Sequence, residues 1–432
     1  FITFFYLNPI CCWERKRINL AAMVEWSNIP DDIVKLIADR LLSSIDRLRF
    51  RSVCSAWRSL SAAIDEGFPG ASRFLPNCGI SRSSLGFCLS KRTIYVAQLS
   101  AESRKTNNCS SVWLFKIEHV KPQTKLLLSP LSRHQVNFNL SSFPKTLNLI
   151  DLRVSEIGQE CVLKHVGYTS EGFNDLGSLY MEKVVMVWLE RENIYVLLTI
   201  HVSGKLAMFS SYDRKWSIIP DMPSPYDDVI VYKGKLFAVD STGRAVIAAR
   251  DRTLELAADS VFGGDKKYLV DSCGELLLVD MYLTIHSEEE CTQSEDELWR
   301  HDLHYISERA VKFKVFKLNE GLKKWTEMNN IGNRVLFLGD DSSFSLTASD
   351  ISECSGNSII FVSNASNQEQ VIEQQEIEYQ ASEEIRDISV FELETGKMRP
   401  LESYPDYLKM FLPPFHLFTS THQVRLSIVI AH

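Results

Sequence analysis

The stretch "VIVYKGKLFAVDSTGRAVIAA", Val229–Ala249, decides how the rest of the chain is read. It holds three short runs rich in Val, Ile, Phe and Tyr. Lys233-Gly234-Lys235 separates the first two, and Ser241-Thr242-Gly243-Arg244 separates the second from the third. Runs this short, punctuated by glycine turns, predict strand, tight turn, strand, turn, strand.

The same texture extends in both directions from about Leu85 onward. "YLVDSCGELLLVDMYL", Tyr268–Leu283, repeats it around Ser272-Cys273-Gly274, and "SVWLFKI", "NIYVLLTI", "VKFKVFKL" and "ISVFEL" read as further strands. There is also a loose echo. "SSYDRKWSII" (Ser210–Ile219), "VFKLNEGLKKWTEM" (Val315–Met328) and "VFELETGKMRPL" (Val390–Leu401) share a plan: a strand, a polar or glycine turn, a basic residue, then Trp or a large apolar residue. Repeated sheet units of this kind predict a β-propeller with Trp or Met packed between blades. The period is irregular, so a β-sandwich or a pair of stacked sheets stays open.

Upstream the period changes. "IPDDIVKLIADRLL" sets Ile29, Ile33, Ile37 and Leu41 at four-residue steps, widened by Val34 and Leu36. This is helix spacing. Pro30 suits a helix start, and Asp31 and Asp32 complement the positive end of the helix dipole. A second helix is expected from about Asp46 as N-cap, with Leu48 and Val53 turned inward. A third is expected from Ser55, carrying Trp57, Leu60 and Ile64 and stopped by Gly67-Phe68-Pro69-Gly70. So small a unit rarely secures itself by burial alone, and its surplus apolar surface calls for a partner or for packing on the rest of the chain.

Charge points away from nucleic acid. Arg47, Arg49, Arg51 and Arg58 crowd this segment, yet residues 23–67 hold six bases against seven acids. A phosphate-binding face needs a cationic surplus. On this reading the arginines ride the solvated edges of the helices. The chain carries a net charge of -8, and two segments, 284–310 and 364–388, carry -6 each, which leaves the remainder near +4. Both read as polar surface insertions.

"IPDDIVKLIADRLLSSIDRLRFRSVCSAWRSL" resembles the F-box, the module that joins a substrate receptor to Skp–cullin–F-box ubiquitin ligases. The resemblance rests on Ile29-Pro30, Asp31, Asp32, Ile33, Ile37, Leu41, Asp46, Leu48, Arg51, Val53, Cys54, Trp57 and Arg58. With the β-rich body, the chain resembles plant F-box proteins whose C-terminal domain is distantly kelch-like and has no assigned function.

The resemblance implies an α+β multidomain protein: a three-helix F-box over 23–67, a linker over 68–84, and a large, propeller-like all-β domain over 85–432. It implies a face for the Skp-type adaptor made of Ile29, Pro30, Ile33, Ile37, Leu41, Leu48, Val53 and Trp57. Through the adaptor it implies a cullin scaffold and, on the β-domain, an unknown target protein. It also implies a place in the nucleus or cytoplasm and a subunit with no catalysis of its own. The alternative is a propeller enzyme or small-molecule binder with a helical appendage.

Other features are bland. No G-x-S-x-G, P-loop or G-x-G-x-x-G occurs, and no apolar run approaches the ~18 residues of a membrane helix. Ten cysteines without a C-x-x-C pair read as reduced thiols, which leaves three glycosylation sequons idle. Cys291, His301 and His304 fit no common zinc spacing, so no metal or cofactor is expected. Asp227-Asp228 and Asp340-Asp341 read as turn composition. In residues 1–22 the apolar part precedes the charged run Glu14-Arg15-Lys16-Arg17, the reverse of a signal peptide's order, and they are read as upstream sequence before Met23, with a cleaved or membrane-touching leader as the alternative.

Overall fold

A computed structural model describes residues 29–41, 43–61, 74–76, 86–99, 112–121, 124–133, 152–166, 181–189, 194–286, 307–351, 355–363 and 387–412. Three helices come first, α1 (Asp31–Arg40), α2 (Ser44–Ser52) and α3 (Ser55–Leu60). The described residues after them are dominated by strands.

The strands fall into five units. The first holds β1 (Phe74–Pro76), β2 (Gly86–Leu99), β3 (Val112–Lys121), β4 (Thr124–Leu128) and β5 (Leu152–Val166), in the order β4-β3-β2-β5 with β1 beside β2. The second is the meander β6 (Met181–Leu189), β7 (Ile194–His201), β8 (Leu206–Ser210) and β9 (Lys215–Ile218). A single register pair, Cys161↔Val184, joins it to the first. The third, β10 (Tyr226–Tyr232), β11 (Lys235–Asp240), β12 (Ala245–Ala248) and β13 (Leu254–Ala258), is another meander. So is the fourth, β14 (Lys266–Ser272), β15 (Glu275–His286), β16 (Ser307–Asn319) and β17 (Lys324–Met328). The fifth holds β18 (Arg334–Leu338), β19 (Ser343–Thr347), β20 (Ser358–Val362), β21 (Ile388–Glu392) and β22 (Met398–Pro400). Its order is β19-β18-β20-β21-β22, with β18 and β20 parallel.

Val229–Ala249 folds as its sequence predicts. Lys233 and Gly234 join β10 to β11 with both φ angles positive, at 49° and 71°. Cys273 and Gly274 do the same between β14 and β15, at 55° and 75°. These are the two-residue turns whose twist matches that of the paired strands, and glycine at the second position meets the left-handed requirement without strain.

Apolar side chains from neighbouring units interleave in five layers. Phe87 and Leu163 meet Leu197 and Trp216; Leu198 and Met208 meet Val229 and Val246; Phe237 and Val239 meet Leu269 and Phe316. Val279 and Phe313 meet Leu336 and Phe361. The fifth layer returns to the start, with Phe337, Ile360 and Tyr407 against Ile94, Val96 and Leu114. The units thus form a closed circuit. The sequence echo also acquires a cause. Trp216 is buried between the first and second units, Trp325 packs between the third and fourth, and Met398 between the fourth and fifth.

Several expectations need correction. The linker expected over 68–84 contains β1, whose Leu75 is buried in the first layer, because an apolar residue beside a free sheet edge gains burial by pairing there. The segment 284–310 is not all insertion: Thr284 to His286 pair with Arg309 to Ser307, so its flanks extend the β15–β16 hairpin. Residues 287–306 and 364–386 lie outside the described residues, as do Cys291, His301 and His304. Helix α2 starts earlier than expected, after Ser43, and places Asp46 in its first turn. Helix α3 is capped by Cys54, whose Sγ accepts from Trp57 N at 3.5 Å, not by Ser55. It ends at Leu60; Ile64 and Gly67–Gly70 lie outside the described residues.

Candidate functional site

Two places concentrate side chains in a way the fold alone does not require: the outer face of the helices and the axis of the circuit.

In the helical unit, Val34, Ala38, Phe50 and Trp57 form a small core, with the rings of Phe50 and Trp57 4.5 Å apart. Ile29, Ile37, Leu41, Cys54 and Leu60 close its margin, and Leu48 is half-buried. Pro30 holds the entry, its carbonyl accepting from Ile33 N at 3.0 Å and Val34 N at 3.1 Å, and is itself exposed. The apolar positions of α1 therefore split. Val34 and Ala38 turn in, while Ile33 and Leu36 are 43% and 46% exposed. Val53, expected to point inward, is 52% exposed, because the chain turns at this residue between α2 and α3. Of the eight residues named from sequence, Trp57 is core and Ile29, Ile37, Leu41 and Leu48 are partly covered. Pro30, Ile33 and Val53 are open to solvent. Leu36 joins that open set. The sequence marks it only as widening the stripe, since a four-step spacing does not say which side of a crowded helix faces the core.

The arginines are not merely solvated. Arg47 Nε donates to Leu41 O at 2.6 Å, Arg51 Nη1 to Ser61 O at 2.8 Å, and Arg58 Nε to Arg51 O at 3.1 Å. They clamp carbonyls that the short helices leave without partners. Arg49 donates to Asp46 at 2.9 Å and to Val154 O on β5 at 2.5 Å, which seats the helical unit on the first sheet.

At the axis lies a cavity of about 420 Å³ that all five units line, with Glu160, Lys183, Val231, Asp271 and Ser343 among its wall. Around it runs a chain of buried charge. Arg92 reaches Glu118 at 3.0 Å, Asp341 at 2.9 Å and Glu160 at 3.4 Å. Lys116 binds Glu160 at 2.9 Å, Arg133 binds Asp341 at 2.8 Å, and Lys164 binds Glu118. Ser342 donates to Glu160 at 2.8 Å. Since Asp341 and Ser342 precede β19 while Arg92 and Glu160 lie on β2 and β5, this network fastens the last unit to the first. Burial alone would push the Glu118 carboxyl up, but Arg92, with Lys164 and Ser90, holds it below the usual carboxylate range.

Of the acid pairs read as turn composition, Asp340-Asp341 does lie in the bend between β18 and β19, with Asp341 buried and Asp340 exposed, whereas Asp227-Asp228 lies on β10, with Asp228 buried and Asp227 partly so. Asp228 binds Lys183 at 2.8 Å across two units, and accepts from Leu269 N at 2.7 Å. Asp227 accepts from Lys267 N at 2.9 Å, and its burial pushes its carboxyl up to about 6. Both amides belong to β14, an edge strand whose unpaired groups would otherwise lack partners. The Asp340 carboxyl, on the exposed side of the β18–β19 bend, is also pushed up, by partial desolvation and then by the charge of Asp341. A dipeptide of acids looks the same in a turn and on an inner strand, so composition could not separate the two.

The profile of the KIB1-4 beta-propeller family matches residues 86–392. The chain belongs to this family and, within it, to the plant F-box proteins with a C-terminal β-rich domain. It is 41% identical to F-box protein SKIP23 of Arabidopsis thaliana over 92% of this chain and 96% of that one. F-box protein At2g17036 of the same plant is 34% identical over 93% and 96% of the two chains. Putative F-box/kelch-repeat protein At5g24040, again from Arabidopsis thaliana, is 29% identical over 91% and 98%.

Proposed function

We propose that this chain is the substrate receptor of a Skp–cullin–F-box ubiquitin ligase, with an F-box over residues 23–67 that binds the Skp-type adaptor and a β-domain from about residue 85 that recruits a target protein. The names of the relatives support the class. The observation that carries the reading is the division of labour in the helices. Trp57 and its neighbours form a core of their own, while Ile33 and Leu36, three residues apart on α1, stay exposed outside it, as do Pro30 and Val53. A unit that has its own core and still exposes apolar side chains on one helix is built to be covered.

The protein performs no chemistry in this scheme. It raises the effective concentration of the target beside the ubiquitin-charged enzyme, in the nucleus or the cytoplasm. The axial cavity has the size of a small-molecule site. However, Glu160, Lys183 and Asp341 in its wall are each engaged in ion pairs, which favours the receptor reading over an enzymatic one.

The test is co-purification from plant extract. The tagged full chain should bring down a Skp-type adaptor and a cullin, and Ile33→Asp with Leu36→Asp should abolish both while the β-domain stays folded. Undiminished capture by the double variant would move the adaptor face elsewhere.

A further inference from the structure

The second unit meets the third at the outer rim in a small basic pocket of about 130 Å³. Its walls are Tyr212 and Asp213 from the β8–β9 turn, Lys215 at the start of β9, and Arg250 and Arg252 from the β12–β13 turn, over a floor of Met208 and Ser210. Three cations face one carboxylate here, in a chain whose overall charge is -8. That carboxylate, Asp213, reaches Arg252 across the two units at 3.4 Å and sets the position of one wall. Arg252 and the adjoining Arg214 stand at φ 71° and 51°, in left-handed backbone that disfavours a long side chain. Tyr212 is 75% exposed at the mouth, while its amide is tied down by Ser210 Oγ at 3.3 Å. An aromatic ring standing clear of a fixed turn, beside arginines, has the composition of a contact that anchors a partner.

Size selects the occupant. Pockets that take a whole small molecule begin at roughly 300 Å³, so this one admits a single tetrahedral anion. A free anion held at an exposed rim makes too few contacts to bind well. An anion carried on a chain gains the surrounding surface, including the Tyr212 ring, and guanidinium groups match phosphate oxygens in pairs.

We propose that this pocket receives a phosphate monoester carried on a peptide of the target protein. The inference rests on the reading of the β-domain as a target binder.

The experiment uses the purified full chain and two immobilised degenerate peptide pools, one with a fixed central phosphoserine and one with serine in its place. The phosphoserine pool should retain the protein at least about tenfold better. Lys215→Glu with Arg250→Glu should remove that advantage. Arg250→Gln and Tyr212→Ala, which leave the turns uncrowded, should each reduce it several-fold even if the double variant fails to fold. Inorganic phosphate should compete only at millimolar concentration. Equal retention of both pools, or an advantage untouched by all of these variants, overturns the proposal. Displacement by micromolar phosphate overturns its peptide part. Adaptor capture measured in parallel separates the two readings. Phosphate selectivity without adaptor binding would sink the receptor role and keep the pocket, and adaptor binding without selectivity would do the reverse.

Discussion

Replacing Arg92 by Met keeps most of the stem and removes the charge that three carboxylates share. Arg92 is almost fully buried, with Glu118, Asp341 and Glu160 all within 3.4 Å. Removing one partner of a buried ion pair costs about 3–5 kcal/mol, because the other charge stays behind uncompensated. Here each carboxylate keeps a second cation: Lys164 for Glu118, Lys116 for Glu160 and Arg133 for Asp341. The loss should therefore fall at the low end, ~3 kcal/mol, enough to raise the open population by about two orders of magnitude. Urea unfolding of the full chain reads the total. Amide hydrogen exchange reads its location: β2, β3, β18 and β19 should exchange faster, and β10 to β13 only in step with global unfolding. The Glu118 carboxyl lies below its ordinary value in the folded protein, so its share is present above the unfolded value and is lost as pH falls. The gap between wild type and variant should accordingly narrow in acid. A shift worth less than ~1 kcal/mol, or exchange that rises evenly around the circuit, would refute the idea that this network holds the ends together.

Trp57→Ala should cost ~3–5 kcal/mol, comparable with the whole stability of so small a unit, and the helical circular dichroism of the three-helix segment should fall accordingly. Ile29→Ala with Pro30→Ala, by contrast, should weaken capture of a purified Skp-type adaptor with little change in melting temperature, which calorimetry and surface plasmon resonance would separate. Asp227 has its carboxyl raised to about 6, so burying it favours the protonated form, and that stabilisation fades as pH rises through 6. Asp227→Asn should thus raise the unfolding free energy at pH 8 by an amount on the order of 1–3 kcal/mol, read by urea titration, and change it little at pH 4. A benefit that grows in acid would mean that the sign is wrong.

Strands were the legible part of this chain. Val229–Ala249 and Tyr268–Leu283 announced their turns because a glycine sat where the backbone needed a left-handed residue, and Trp216 and Trp325 marked the repeat because the layers between units need a large filler. What stayed hidden was whatever depends on a distant partner. Nothing near Asp341 in sequence hints at Arg92, and Asp227-Asp228 carries no local sign of the amides of β14. The helical face was half legible. Spacing found the apolar positions of α1, but the choice between Val34 inside and Ile33 outside is made by Phe50 and Trp57, which arrive from two other helices.

The pairing of Arg92 with Asp341 also sets a timetable. The two residues are 249 positions apart, so the first unit, with Glu118 and Glu160 already beside Arg92, leaves the ribosome long before its third carboxylate exists. At synthesis rates of roughly 5–20 residues per second, the wait is on the order of tens of seconds. Throughout it, Ile94, Val96 and Leu114 have no Phe337 or Ile360 to lie against. The nascent protein must therefore keep a bare apolar flank until the last unit emerges, and the final step of its birth joins its first unit to its last.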